Sequence, residues 1–271
     1  MRTAFTSPKV RYSVEERLKD MDQQKVDVQV LSIHTPLIGY HLEAAQGLAL
    51  AREVNDEIGA TVRQSAGRLA GLATLPVQDV KSAIGELERA VSKLGLKGAS
   101  LDTQVNGEQW DEPKFLPFFK AAEQMGAVLF YHPQPQNNFL MQRINRHGLF
   151  NSLGVILDDA IVTAVLICGG VLEKCPDLKV CIAHGGGPAC SLQPYPCRPG
   201  SRRHRMSSSA ARFFHRIFSF SSGVSDLRFC THATGEGCHP TNGQSLPSTT
   251  RSAPTRSRRK RSASSLGTTV S

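Results

Sequence analysis

The feature that most constrains this chain is an alternation of two hydrophobic periods that runs as far as Gly187 and then stops. Val26–Ile33, Arg68–Leu75, Leu96–Leu101, Ala127–His132 and Leu178–His184 are short and rich in β-branched or apolar residues. Runs of this kind suit parallel strands covered on both faces. Helical patterns lie between them. Leu50, Val54, Ile58 and Val62 form one stripe, and Val80, Ile84, Leu87, Val91 and Leu94 a second. Phe115, Phe118, Phe119, Ala122 and Met125 form a third, with Asp111 placed to cap it and Pro113 in its first turn. Asp158–Lys174 reads as one mostly apolar helix that stops before Pro176. Strand, helix and strand in repetition mean right-handed βαβ units and a parallel sheet. A doubly wound sheet and an arc of a barrel both satisfy this pattern.

Beyond Gly187 the character changes. The chain has 32 Lys and Arg against 23 Asp and Glu, but residues 188–271 hold 13 of the former and, of the latter, only Asp226 and Glu236. That stretch carries +11, and residues 1–187 carry −2. Its basic residues are all Arg except Lys260, set among Ser and Pro. Such a composition buries too little apolar surface to offset the entropy of ordering. The prediction is therefore a globular part, 1–187, and a disordered tail, 188–271, in which only Phe213–Phe220 could form an element. The Arg256–Arg261 cluster could meet phosphates, but it lacks interleaved aromatics, so nucleic acid is not the expected partner. Cys230, His232, Cys238 and His239 are zinc-type ligands at a spacing that fits no finger.

Cysteine usage points to a reducing setting, because Cys168, Cys175 and Cys181 sit in or beside apolar runs as small core residues. No apolar h-region opens the chain, and Ile161–Leu172 is shorter than the about 20 residues a bilayer span needs. A cytoplasmic protein with no membrane partner is expected.

Four stretches carry a more specific signal: Gly67–Pro76, Leu87–Gly107, Asp111–Pro133 and Gly169–Gly187. In this order and spacing they resemble the amidohydrolase-related family, which includes aminocarboxymuconate-semialdehyde decarboxylase, resorcylate-type decarboxylases and an oxalomesaconate hydratase. The resemblance covers roughly residues 14–187. It implies an α/β protein, an incomplete (β/α)8 TIM-type barrel with about five or six strands present, the five visible runs standing as second to sixth. It also implies a metal-dependent carboxy-lyase acting on a small unsaturated or aromatic carboxylic acid, with a hydratase or hydrolase of the same family as alternatives. A divalent metal, zinc first, and a possible homodimer follow from the same resemblance.

Barrel sites are built where strands end. His132 closes one such run and His184 another, the latter followed by Gly185, Gly186 and Gly187, which let backbone approach a ligand closely. By resemblance His132 matches a metal ligand and His184 the catalytic acid/base, tasks that a neutral imidazole suits. His34, His41 and Asp102 also follow strand-like runs; surface solvation is the simpler account of the two histidines, and loop capping that of Asp102.

The family pattern also carries a His-x-His pair on the first strand and an acidic ligand on the last. No His-x-His occurs in these 271 residues, and no strand-like run ending in Asp follows His184. One histidine cannot hold a catalytic zinc, which takes about three protein ligands, so the chain as it stands is expected to be inactive. One hypothesis is that residues from about 189 onward are read in a shifted frame and that the start lies too late; its rival is a genuine basic-tailed binding protein. Sequencing the transcript across the Gly187 codon and upstream of Met1 decides, an intact frame sinking the first.

Overall fold

The computed structural model describes residues 12–134, 144 and 147–191. Residues 192–271 lie outside the described residues, and with them the tail, the Phe213–Phe220 element, the Cys230 to His239 group and the Arg256–Arg261 cluster.

The chain enters through α1 (Val14–Gln24). Ser13 Oγ accepts the N–H of Glu16 at 3.2 Å, and the Glu16 carboxylate accepts the N–H of Ser13 at 2.8 Å, so two donors of the open helix end are satisfied at once. Helix α1 leads to β1 (Gln29–Leu31), followed by α2 (Ala44–Arg63), β2 (Leu69–Gly71), α3 (Val80–Ser92), β3 (Gly98–Leu101), α4 (Leu116–Gln124) and β4 (Val128–Tyr131). A π-helical turn, Phe150–Gly154, opens α5 (Val155–Cys168), which is followed by the single turn α6 (Val171–Lys174) and β5 (Lys179–Ile182). All five strands fall inside the five runs picked out by composition.

The strands are parallel and follow one another in chain order. Strand β1 pairs with β2, and β3–β4–β5 form a three-stranded sheet. The two are joined past the end of β2, where Ala73 donates to Gly98 O and accepts from the N–H of Ser100, both at 2.8 Å. At the entrance to β1, the Arg68 guanidinium donates to Asp27 O at 2.7 Å, to Val26 O at 2.9 Å and to the Asp22 carboxylate at 2.8 Å, tying β2 to the chain that leaves α1.

Side chains alternate across the sheet and sort into two clusters. Leu101, Leu129, Tyr131, Val180 and Ile182 join Leu87 of α3, Phe118 and Phe119 of α4, and Val162 and Leu166 of α5 in the main core. The second cluster, Leu72, Phe130 and Ala183 with Val30 and Cys181 against it, is made of strand and strand-end residues alone. Helices α2 and α3 lie side by side, as do α3 and α4. Among the described residues the strand order runs in sequence without reversal, and the helix residues named share one cluster.

Two local expectations are corrected. Asp111 caps no helix: Pro113–Phe115 is a separate 3-10 turn whose N-cap position is Glu112, and α4 starts only at Leu116 with no side-chain cap. The apolar segment 158–174 is not one helix. It breaks at Gly169 and Gly170, the latter left-handed at φ 70, and a Cβ on Gly169 would lie 2.2 Å from Cβ of Asp111. Asp111 thus packs against the break instead of capping the next helix.

Candidate functional site

Strands β4 and β5 are direct neighbours, with Tyr131 opposite Ile182, so the residues that follow them emerge at the same end. Those residues are His132 and His184. Their rings meet edge to face with centroids 5.0 Å apart. His132 also lies beside Phe130 at 6.3 Å, and its Nδ1 is 3.0 Å from Pro133 O. With Nδ1 donating there, the neutral ring carries its lone pair on Nε2.

The backbone of His184 is left-handed, φ 49 and ψ 32, a conformation that costs a non-glycine residue on the order of 1–2 kcal/mol. The chain stays left-handed through Gly185 and Gly186. At Gly187 the close approach is to protein and not to a ligand, because a Cβ there would lie 2.0 Å from Ile156 O, at the start of α5. The turn is thus pressed onto the helix that carries the partner of His184.

That partner is Asp159, whose Oδ2 is 2.8 Å from Nδ1 of His184. The Asp159 side chain is fully buried and that of His184 is 28% exposed. Burial raises the Asp159 carboxyl to about 6, against the lowering effect of His184. Nothing in the strand or helix periods points to Asp159. It lies 25 residues before His184, and the only signal is a pair of acids in an otherwise uncharged helix.

The neighbouring Asp158 reaches the other side of the site. Its Oδ2 lies 3.4 Å from Thr103 Oγ1, which is also 3.3 Å from Asp102 Oδ1. One hydroxyl proton serves one acceptor at a time, so both contacts are hydrogen bonds when one of the two carboxyls is protonated and donates to the Thr103 hydroxyl. Burial, then the charge of Asp102, raise the pKa of Asp158 to about 6 in the same sense.

Asp102 joins its own loop to the segment that follows β4. Besides Thr103, its Oδ1 accepts the backbone N–H of Gln134 at 3.0 Å, and its carbonyl accepts the indole N–H of Trp110 at 2.9 Å. Trp110 in turn packs edge-on against Tyr131 at 5.4 Å and beside Phe115 at 4.9 Å. Among the contacts described, this carboxylate caps its own loop at Thr103 and ties it to the loop after β4 at Gln134. His41 is exposed as expected, while His34 is half-buried at the start of a 3-10 turn, where burial lowers its pKa. Burial pushes the Cys181 thiol up to about 11, which leaves it a packing group and not a nucleophile.

Among the described residues no group of three His, Cys, Asp or Glu could hold a metal ion. His132 by itself falls short of the about three protein ligands of a catalytic centre, so the described residues do not fit a metal on their own. What they can do is hold and move a proton. No helix among the described residues is long and apolar enough to cross a membrane.

The sequence model of the amidohydrolase family (Amidohydro_2) matches residues 10–235. The chain belongs to the amidohydrolase family. Among its relatives is a 2-amino-3-carboxymuconate-6-semialdehyde decarboxylase of Dictyostelium discoideum, 36% identical over 171 residues that make up 63% of this chain and 47% of that protein. Among solved structures, the 5-carboxyvanillate decarboxylase of Sphingomonas paucimobilis superposes with a TM-score of 0.60 at 32% identity, covering 65% of this chain and 52% of that one. The dihydroxybenzoic acid decarboxylase of Polaromonas sp. JS666, solved with bound manganese and the inhibitor 2-nitroresorcinol, gives a TM-score of 0.60 at 23% identity over 65% of this chain and 55% of that one. The chain spans about half the length of the curated relatives it matches.

Proposed function

We propose that this amidohydrolase-family chain is built as part of a carboxy-lyase site, for a small unsaturated or aromatic carboxylic acid. The observation that carries the reading is the meeting of His132 and His184 at the same end of neighbouring parallel strands, 5.0 Å between ring centroids. Strand order without reversal and helices sharing one cluster support an arc of a (β/α)8 barrel as the scaffold.

Within that reading His184 is the proton donor. Its Nδ1 faces Asp159, so Nε2 is the nitrogen that serves a substrate. As the bond to the carboxylate breaks, its electron pair stays on carbon and CO2 departs. That carbon takes the proton from Nε2 of the imidazolium, leaving a neutral ring with its remaining proton on Nδ1. His132 is proposed as one ligand of a divalent metal, zinc by expectation; the Polaromonas decarboxylase of similar fold was solved with bound manganese. A cytoplasmic location and a homodimer belong to the same proposal.

The test is CO2 release by the purified full chain from 2-amino-3-carboxymuconate semialdehyde, 2,6-dihydroxybenzoate and 5-carboxyvanillate, with zinc or manganese added and metal uptake measured in parallel. Release that falls at least about 100-fold in His184→Gln supports the reading. No release from any of these acids, with less than one ion bound per chain, returns the chain to the expectation of an inactive, basic-tailed member and sinks the carboxy-lyase reading.

A further inference from the structure

We propose that Asp159 is the positioning residue of this site, fixing His184 in its Nδ1–H tautomer so that Nε2 alone faces the His132 side. The inference rests on the reading of His184 as the proton donor given above. Three independent features converge on the orientation of this one ring. The first is the 2.8 Å contact between Asp159 Oδ2 and Nδ1. The second is the left-handed backbone of His184, an uncommon conformation for a residue with a Cβ that persists only where surrounding contacts enforce it. The third is the seating of Gly187 against Ile156, three residues before Asp159 on the same helix, so that the turn and the carboxylate are held in one frame.

The carboxylate itself argues for the role. Asp159 is 0% exposed on a helix whose other polar residues are Asp158 and Thr163, and its Oδ1 has no hydrogen-bond partner among the described residues. Burying a carboxylate with half its acceptor capacity unused is unfavourable as packing. Burial also strengthens the bond from Oδ2 to His184, because charge interacts more strongly in a low-dielectric surrounding than in water. A carboxylate so placed selects the tautomer in which Nδ1 donates, and it stabilises the ring when Nε2 also carries a proton. Asp158, one residue earlier, makes its contact to Thr103 instead and does not share this task.

The experiment is nitrogen-15 NMR of the histidine rings in the full-length chain, at a pH where they are neutral, for the native protein and for Asp159→Asn and Asp158→Asn. The native His184 is expected almost wholly as the Nδ1–H form. Asp159→Asn, which keeps size but can turn its amide N–H toward Nδ1, is expected to raise the Nε2–H form at least about tenfold, and Asp158→Asn to leave the ratio unchanged. In the CO2 assay the Asp159 variant is expected to lose about 100-fold or more in kcat with KM held within about threefold. An unchanged tautomer ratio in a folded Asp159→Asn chain overturns the proposal. So does an equal shift in Asp158→Asn, which would mark a general loosening of α5. If the native chain releases no CO2, the proposed function falls while the tautomer ratio still decides the role of Asp159.

Discussion

The carboxylate of Asp102 holds the backbone N–H of Gln134 at 3.0 Å, and Gln134 stands two residues past His132. The segment leaving β4 is thereby tied to the end of β3, and His132 sits inside the span so fixed. Truncating Asp102 to Ala leaves the N–H groups of Thr103 and Gln134 buried without that acceptor, at a cost on the order of 2–4 kcal/mol. Urea unfolding should show that loss, whereas Asp102→Asn, which keeps an acceptor oxygen, should lose less than half as much. Equal losses in the two variants would mean that charge, not loop capping, is what the position supplies.

The pair Asp158 and Asp159 predicts how stability depends on pH. Both carboxyls are raised to about 6 in the fold, chiefly by burial, whereas an unfolded chain titrates them near about 4. Between those values the folded state binds protons that the unfolded state has released, so stability falls as pH rises from about 4 to about 6 and then levels. Urea midpoints measured across that window should decline, and Asp158→Asn should flatten the decline by roughly half. A midpoint that climbs over the same range would contradict the assigned direction.

Asn55 of α2 bridges two elements in the main core. Its side chain accepts the N–H of Thr74 at 2.8 Å and donates to Thr74 O at 3.0 Å and to the fully buried Glu86 carboxylate at 2.7 Å. Glu86 is also held by Arg89 at 2.8 Å and by Arg52 at 3.5 Å. Asn55→Leu strands the buried N–H and C=O of Thr74 and removes one donor from Glu86, and should cost about 2 kcal/mol or more. If Asn55→Asp, which keeps the acceptor for the Thr74 N–H, is no more stable than Asn55→Leu, the Thr74 hydrogen bonds are not the source of the loss.

Gly98 opens β3 where no other residue fits. At φ 153 a Cβ there would lie 1.9 Å from Val128 O on the adjacent strand, far inside contact distance and against backbone that cannot swing away. Gly98→Ala should therefore separate β3 from β4 and leave the chain insoluble or without cooperative unfolding. Gly85→Ala, on α3 where a Cβ meets nothing within 4 Å, should be neutral or slightly stabilising. Soluble, native-like Gly98→Ala would show that the β3–β4 register can shift.

Hydrophobic period alone located all five strands, because parallel strands covered by helices must be apolar along their length. The stripe at Val80 to Leu94 likewise gave α3 within two residues of its end. Less local features escaped it. The break at Gly169 follows from the arrival of Asp111, which no neighbour in sequence announces.

The same division runs through the site. The sequence by itself determined the βα repeat and the two histidines at strand ends, since both follow from short-range pattern and from motifs shared with the amidohydrolase family. Only the tertiary structure decided that His132 and His184 meet ring to ring, that Asp102 ties the end of β3 to the loop after β4, and that Asp159 is the partner of His184. The reason is physical: a hydrogen bond is fixed by an orientation and a distance of about 3 Å. That geometry is set by how a helix is pressed onto a sheet, and periodicity along the chain carries no record of it.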